Sequence, residues 1–179
     1  PMVLDIAAIQ YLYGPATFNP GSTLYEVDLT RPFVQSIWDS SGTDTLDLST
    51  SKYQCVINLE PGSYSTIPCD NWSMEDNLGI AYGAIIENAN GGLSDDSIFG
   101  NSVDNYLNGN SGNDILKGGD GNDVFDWDTD KRLGVDEFHG QNGDDVFVID
   151  NPLDSVVEMT DEGQTPEERG EKKAQAAGG

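Results

Sequence analysis

Six positions in the middle of the chain carry the groups best suited to chemistry: Asp96, Asn105, Asp114, Asp123, Asp136 and Asp145. They recur every nine residues, with one interruption of four residues, WDTD at 127–130. No pair among them is marked out for acid–base work, and no nucleophile stands beside a base. Regular repetition brings like charges together instead. Two carboxylates about 5 Å apart at an effective dielectric near 20 repel by roughly 3 kcal/mol. A divalent cation with six to eight oxygen ligands reverses that sign. Magnesium prefers a small rigid octahedron and keeps its waters, and zinc lacks its usual sulfur or nitrogen ligands here. The expected cofactor is therefore Ca²⁺, as several ions, with no zinc in this chain.

The elements that position these groups are legible in the same stretch. Residues 91–148 read GGLSDDSIF, GNSVDNYLN, GNSGNDILK, GGDGNDVFD, the four-residue break, KRLGVDEFH and GQNGDDVFV. GGxGxDxUx, with U a large apolar residue, is the repeat of calcium-binding parallel β-helices. Position eight is Ile98, Leu107, Leu116, Phe125, Phe138 and Phe147. In a short strand xUx the middle side chain points to the opposite face from its neighbours, here into the solenoid. A flexible Gly/Asn/Asp linker has no reason to place an apolar residue there every time. Two nonapeptides make one coil, so each turn stacks on its second neighbour. That pairs Asp96 with Asp114, Asn105 with Asp123, Asp114 with Asp136, and Asp123 with Asp145. Glycines admit torsions that turn peptide carbonyls toward a shared cavity. The candidate metal-binding positions in the better loops are Gly109, Ser111 and Gly112, then Gly118, Asp120 and Gly121, then Gly140, Asn142 and Gly143. Ser94 and Val103 replace expected glycines and KRLGVDEFH lacks the leading pair, so sites using those loops should be weaker.

Upstream, VLDIAAIQYLY followed by Gly14-Pro15 predicts a short, heavily buried helix with a glycine stop. Residues 17–59 alternate with period two between Gly, Ser and Asp turns and predict a β-sandwich-like half. Within it, Asp39, Asp44 and Asp47 fall inside one tight turn region. Taken alone they fit ordinary turn chemistry better than a cation site, because Asp satisfies local backbone donors. Cys55 and Cys69 are either bridged or two unrelated thiols, and both readings stay open.

Thirty-two acidic residues against eight basic ones give a formal charge of −24, which argues against nucleic acid and anionic membranes as partners. No apolar run approaches the roughly 18 residues of a membrane span. Chemistry beyond cation binding has little to draw on. The single histidine, His139, sits at an outward position of a weak repeat.

DIAAIQYLYG, SIWDSSGTDTLDLS and YGAIIENANGG, in that order and followed by the repeats, resemble the C-terminal region of serralysin-type secreted zinc metalloproteases over roughly residues 3–150. The resemblance implies an all-β fold: a parallel RTX β-roll completed by an antiparallel sandwich-like half, with one short N-terminal helix. It implies three regions, namely a helix at 1–15 following an upstream catalytic domain, a calcium-binding domain at 16–150, and a degenerate repeat with a flexible tail at 151–179. It also turns the aspartate cluster toward function. By position, Asp39 and Asp44 match carboxylate ligands of an upstream calcium site, helped by oxygens of Gly21, Thr23 and Ser41. Gly42, Asp44 and Glu87 match a second. Asn19 stands where that family has arginine and Ser41 where it has glycine.

The family's zinc motif, HExxHxxGxxH, is absent, so this chain is not expected to be an enzyme, although its parent would be a zinc endopeptidase. The implied function is a module that folds on Ca²⁺ outside the cell after passage through a type I secretion system, and that supports an upstream protease domain. The alternative is a calcium-stabilised spacer or binding module of another secreted protein, such as a polysaccharide-modifying enzyme or an adhesin.

Overall fold

A computed structural model describes residues 3–14, 17–125, 134–149, 151–157 and 173–176. One helix opens it, α1 (Val3–Tyr13). The upstream strands are β1 (Leu24–Glu26), β2 (Gln35–Ile37), β3 (Thr45–Asp47), β4 (Val56–Asn58), β5 (Tyr64–Ser65) and β6 (Leu78–Ile80). Then come β7 (Asn88–Asn90), β8 (Ser97–Phe99), β9 (Tyr106–Asn108), β10 (Ile115–Asp120) and β11 (Val124–Phe125). The last are β12 (Glu137–Asn142), β13 (Val146–Ile149), β14 (Ser155–Val157) and β15 (Lys173–Ala176).

From β7 onward the chain alternates between two parallel sheets, and from β9 each new strand lies beside the one before last. One sheet runs β1-β3-β7-β9-β11-β13-β15 and the other β4-β8-β10-β12-β14. Register places position eight of each repeat in line: Leu46, Ala89, Leu107, Phe125 and Phe147 in one sheet. Ile57, Ile98, Leu116, Phe138 and Val156 line up in the other. All of these but Val156 are buried. The predicted solenoid core is thus a pair of facing ladders, aliphatic at its start and aromatic at its end. Phe125 and Phe147 stack with centroids 4.9 Å apart, and Phe138 meets Phe125 edge-on at 5.9 Å.

The antiparallel portion is present but small. It consists of β5 against β6, within the three-stranded sheet β2-β6-β5, and the bridges Val56–Thr66 and Cys69–Trp72. Strands β1, β3 and β4 instead extend the parallel roll upstream. The reason lies in a repeat too degenerate to stand out. DSSGTDTLD at 39–47 has glycine at position four, Asp44 at six and Leu46 at eight.

Helix α1 ends as expected, with Gly14 at φ +78° and its N–H donating to Gln10 O at 2.8 Å. Its predicted burial needs correction. Val3 and Ile6 are buried, whereas Leu4, Ile9, Tyr11 and Leu12 are exposed. The helix is apolar on every side, so a single contact line cannot cover it. Cys55 and Cys69 are both buried and not bridged. Beyond residue 150, Ser155–Val157 adds one exposed row to the roll and Lys173–Ala176 pairs with β13. The remainder of the expected tail lies outside the described residues.

Candidate functional site

Each row of the roll is entered through one residue immediately before its strand. On the way into the seven-stranded sheet these are Thr23, Asp44, Glu87, Asn105, Asp123 and Asp145; into the other, Cys55, Asp96, Asp114, Asp136 and Asp154. The backbone N–H of one row donates to the side chain of the next. Thr23 donates to Asp44 Oδ1 at 2.7 Å, Asp44 to Glu87 Oε2 at 2.7 Å, Asn105 to Asp123 Oδ1 at 2.8 Å, and Asp123 to Asp145 Oδ1 at 3.0 Å. On the other side Cys55 donates to Asp96 Oδ1 at 2.6 Å, Asp96 to Asp114 at 2.7 Å, Asp114 to Asp136 at 2.8 Å, and Asp136 to Asp154 at 3.0 Å. All four pairings expected from second-neighbour stacking are therefore direct hydrogen-bonded contacts. A carboxylate taken from water needs such partners on both oxygens.

It does not find them on both. Oδ2 of Asp44, Asp114 and Asp123 is buried and accepts no hydrogen bond. Burial, with neighbouring carboxylates adding to it, pushes Asp114 and Asp123 up to about 7. Asp44 and Asp96 are raised as well, again chiefly by burial. Asp96 is better satisfied, since Gly92 N–H donates to its Oδ2 at 2.5 Å.

Glycines shape the space around these oxygens. A Cβ on Gly109 would lie 2.7 Å from Asp114 Cγ, and one on Gly118 would lie 2.6 Å from Asp123 Cγ. At position four, Gly112 (φ +136°) abuts Ser94 and Gly121 (φ +117°) abuts Val103, with backbone atoms of both neighbours 2.5–2.6 Å from a built Cβ. Gly143 in turn presses on the Gly121 carbonyl. The weak repeats are thus the surfaces against which the stronger loops pack. Asp120 and Asn142 lie in register on β10 and β12, where Asn142 Nδ2 donates to Asp120 Oδ1 at 2.8 Å. Ser111 N–H donates to Gly92 O at 3.1 Å, and Gly140 lies within β12.

The upstream candidates also come together. Ser41 N–H donates to Asp39 Oδ1 at 3.1 Å, and the Tyr25 hydroxyl donates to Asp39 Oδ2 at 2.5 Å. Burial and the Asp39 bond push that phenol up to about 12. Thr23 Oγ1 donates to Gly21 O at 3.0 Å, and a Cβ on Gly42 would lie 2.7 Å from that same carbonyl. Asp47 faces away from this group and caps Ser49 N–H at 2.9 Å.

Among the described residues, no three His, Cys, Asp or Glu side chains converge on one point. That follows from the architecture, because each row is entered through a single residue, so the ladder supplies at most one carboxylate per row at that position. Oxygen alone, around orphaned buried carboxylate atoms in glycine-lined cradles, fits a hard cation of Ca²⁺ type. His139 bonds Glu137 Oε1 at 2.6 Å on the outer face.

Asp154, within the degenerate repeat expected from 151, extends the second ladder by one rung. One feature has no counterpart in the sequence reading. Position five forms an outer ladder of its own, with Asp95 Oδ1 accepting from Asn113 N–H at 2.8 Å and Asp104 Oδ1 from Asn122 N–H at 2.7 Å. The signal was there: Asp95, Asp104, Asn113, Asn122 and Asp144 all stand at position five.

The comparisons with known proteins agree with this geometry. Serralysin of Proteus mirabilis is 36% identical over 59% of this chain and 23% of its own length. Serralysin C of Dickeya chrysanthemi is 38% identical over 54% and 22%. Metallopeptidase AprA of Pseudomonas marginalis is 40% identical over 59% and 24%. The matched segments thus cover about a quarter of these relatives. The family model for the serralysin C-terminal region of M10 peptidases matches residues 12–173, well past the 3–150 of the motif resemblance. With its repeats wound into a parallel β-roll of RTX type and the family model matched over 12–173, the chain belongs to the peptidase M10 serralysin C-terminal family.

Proposed function

We propose that this chain is a calcium-binding module that folds as Ca²⁺ reaches it outside the cell. The observation that carries the reading is the set of buried, unpartnered carboxylate oxygens on Asp44, Asp114 and Asp123. Leaving a charged oxygen unmatched in the interior costs several kcal/mol, and a hard cation removes that cost. The residues that would hold it are Asp96, Asp114, Asp123, Asp136 and Asp145, with backbone and side-chain oxygens of Gly109, Ser111, Gly112, Gly118, Asp120, Gly121, Gly140, Asn142 and Gly143. Upstream, Gly21, Thr23, Asp39, Ser41, Gly42, Asp44 and Glu87 would form the sites that tie the first rows to the roll.

Metal binding free energy is then folding free energy. At low cytosolic calcium the −24 chain stays extended and fits a type I exporter; in the extracellular medium it closes and stabilises a serralysin-like zinc protease domain upstream. Far-UV circular dichroism in EDTA, then in millimolar Ca²⁺ or Mg²⁺, tests this. The expected result is a β-rich spectrum in Ca²⁺ alone. A spectrum already folded in EDTA and indifferent to Ca²⁺ overturns it.

A further inference from the structure

One rung of the ladder is built differently. At the turn 100–105 the entering residue is Asn105 and position two is Asn101, where the turn 118–123 has Asp123 and Gly119. Asn105 Oδ1 accepts from the backbone N–H of Asn101 at 2.8 Å. That fixes which end of the amide is oxygen, because a backbone N–H can only donate. Asn105 Nδ2 therefore points the other way, donating to Glu87 O at 2.9 Å and to Asn101 Oδ1 at 3.2 Å. Asn101 is fixed by the same logic. Its Oδ1 accepts from Val103 N–H at 3.1 Å, and its Nδ2 donates to Ile86 O at 2.9 Å and Leu59 O at 3.3 Å.

The donors of both amides are spent, and Asn101 Oδ1 accepts twice, from Val103 N–H and from Asn105 Nδ2. Each NH₂ has two acceptors, and the three carbonyls that line this neck, those of Leu59, Ile86 and Glu87, are already matched by N–H groups. A cation placed here would meet amide hydrogens instead of free oxygens. Leu59 and Ile86 are also the two ends of the excursion that leaves the roll after β4, forms β5 and β6, and returns before β7. Asn101 holds both ends at once.

We infer that Asn101 and Asn105 form a metal-free clasp: this rung takes no Ca²⁺, and a pair of neutral side-chain amides closes the neck of the 60–86 excursion in its place. The inference rests on the calcium reading of the carboxylate rungs, against which this one is the exception.

The test counts ions. Native mass spectrometry of the full chain in saturating Ca²⁺ compares wild type with Asn105→Ala and with the double variant Asn101→Gly/Asn105→Asp, which restores the pattern of the 118–123 turn. Circular dichroism confirms that each is folded. The clasp requires Asn105→Ala to bind as many ions as wild type while melting at lower temperature, and the double variant to bind one more. One ion fewer in Asn105→Ala overturns it. Should Asn105→Ala fail to fold, the double variant decides alone: a gain of one ion supports the clasp and an unchanged count refutes it. A folded wild-type chain that takes up no calcium removes the carboxylate reading itself, and the exception with it. The two failures are therefore read from different samples.

Discussion

The turns 100–105 and 118–123 are stacked neighbours with the same job, carrying the chain from one sheet to the other. Asn105 N–H donates to Asp123 Oδ1 at 2.8 Å, so they are also in direct contact. The first is closed by two amides whose NH₂ groups are matched by the carbonyls of Leu59, Ile86 and Glu87 and by Asn101 Oδ1. The second leaves Asp123 Oδ2 buried and unmatched. At position six they differ by one atom type, the amide nitrogen of Asn105 against a carboxylate oxygen of Asp123. A neutral amide brings its own donors and makes a turn that is complete on the protein's terms alone. A carboxylate brings only acceptors, and its turn is complete only when positive charge arrives from outside. The roll thus mixes self-sufficient and metal-dependent rungs on one backbone plan.

Position four breaks the comparison most sharply. Val103 sits there in the first turn, whereas Gly121 sits there in the second at φ +117°, with a built Cβ 2.6 Å from the Val103 carbonyl carbon. Gly121→Val should therefore lower stability in saturating Ca²⁺ by roughly 3 kcal/mol or more, through torsional strain and backbone overlap. Val103→Gly should cost under about 1 kcal/mol, because it relaxes a position that needs no special torsion. Urea denaturation of both variants measures the asymmetry, and equal losses would mean the two turns are not distinguished by backbone shape.

Asp123→Asn exchanges the chemistry and keeps the shape. In Ca²⁺ it should lose one ion and weaken the apparent affinity of the adjoining row about tenfold, or roughly 1.4 kcal/mol. In chelator the sign reverses, since a desolvated charge has been removed, and whatever structure persists should be more stable than wild type. Paired calcium titrations and chelator melts read both signs. A variant weaker in both conditions would show that the carboxylate stabilises the fold without metal.

Titration gives a third probe. Asp114 and Asp123 are raised to about 7 in the metal-free fold, above the ordinary carboxylate range near 4. A raised folded-state value means that protonation favours the metal-free fold. That contribution is complete below pH of about 4 and is lost as pH rises through 7. Calcium needs the deprotonated form, so its affinity should rise between pH 5 and 7 and level off above. Calorimetry at pH 6 in two buffers of different ionisation enthalpy should detect proton release, diminished in Asp123→Asn. Binding without proton release would mean that calcium meets these carboxylates in the unfolded chain, at ordinary values, before the burial that raises them.

Much of this was legible in the sequence because the information is periodic. Phe125, Phe138 and Phe147 announce the inner face, and the spacing of Asp114, Asp123, Asp136 and Asp145 predicts which turns touch. Where periodicity fades, so does legibility. Ala89 and Ile57 occupy the same inner position as the phenylalanines, but no glycine pair precedes them, and Cys55 stands where an aspartate would have marked the row. The parallel roll therefore begins earlier than composition alone suggests. Helix α1 misled for a different reason. An apolar sequence predicts burial, yet Leu4, Ile9, Tyr11 and Leu12 stay exposed while Val3 and Ile6 are buried. In the sequence Asn105 reads as a weakened ligand, and Asn101 draws no notice. Their bonds to Leu59, Ile86 and Glu87 depend on an excursion whose return point no local pattern reveals.

The smallest expected effect lies on the outer ladder, where the two turns meet side chain to backbone. Asp104 Oδ1 accepts from Asn122 N–H at 2.7 Å, and Asn122 Oδ1 in turn accepts from Asp144 N–H at 3.0 Å. These groups are exposed, so water replaces a lost partner and little desolvation is at stake. Asn122→Ala removes the acceptor for Asp144 but leaves its own backbone N–H bonded to Asp104. The loss should be about 0.5–1 kcal/mol in Ca²⁺, with the number of bound ions unchanged. Asp104→Ala removes the other acceptor and should cost about the same, despite belonging to the self-sufficient turn. If either variant changed the ion count, the outer ladder would be part of the metal shell. The distinction between the two turns would then have to be drawn at position five as well as at position six.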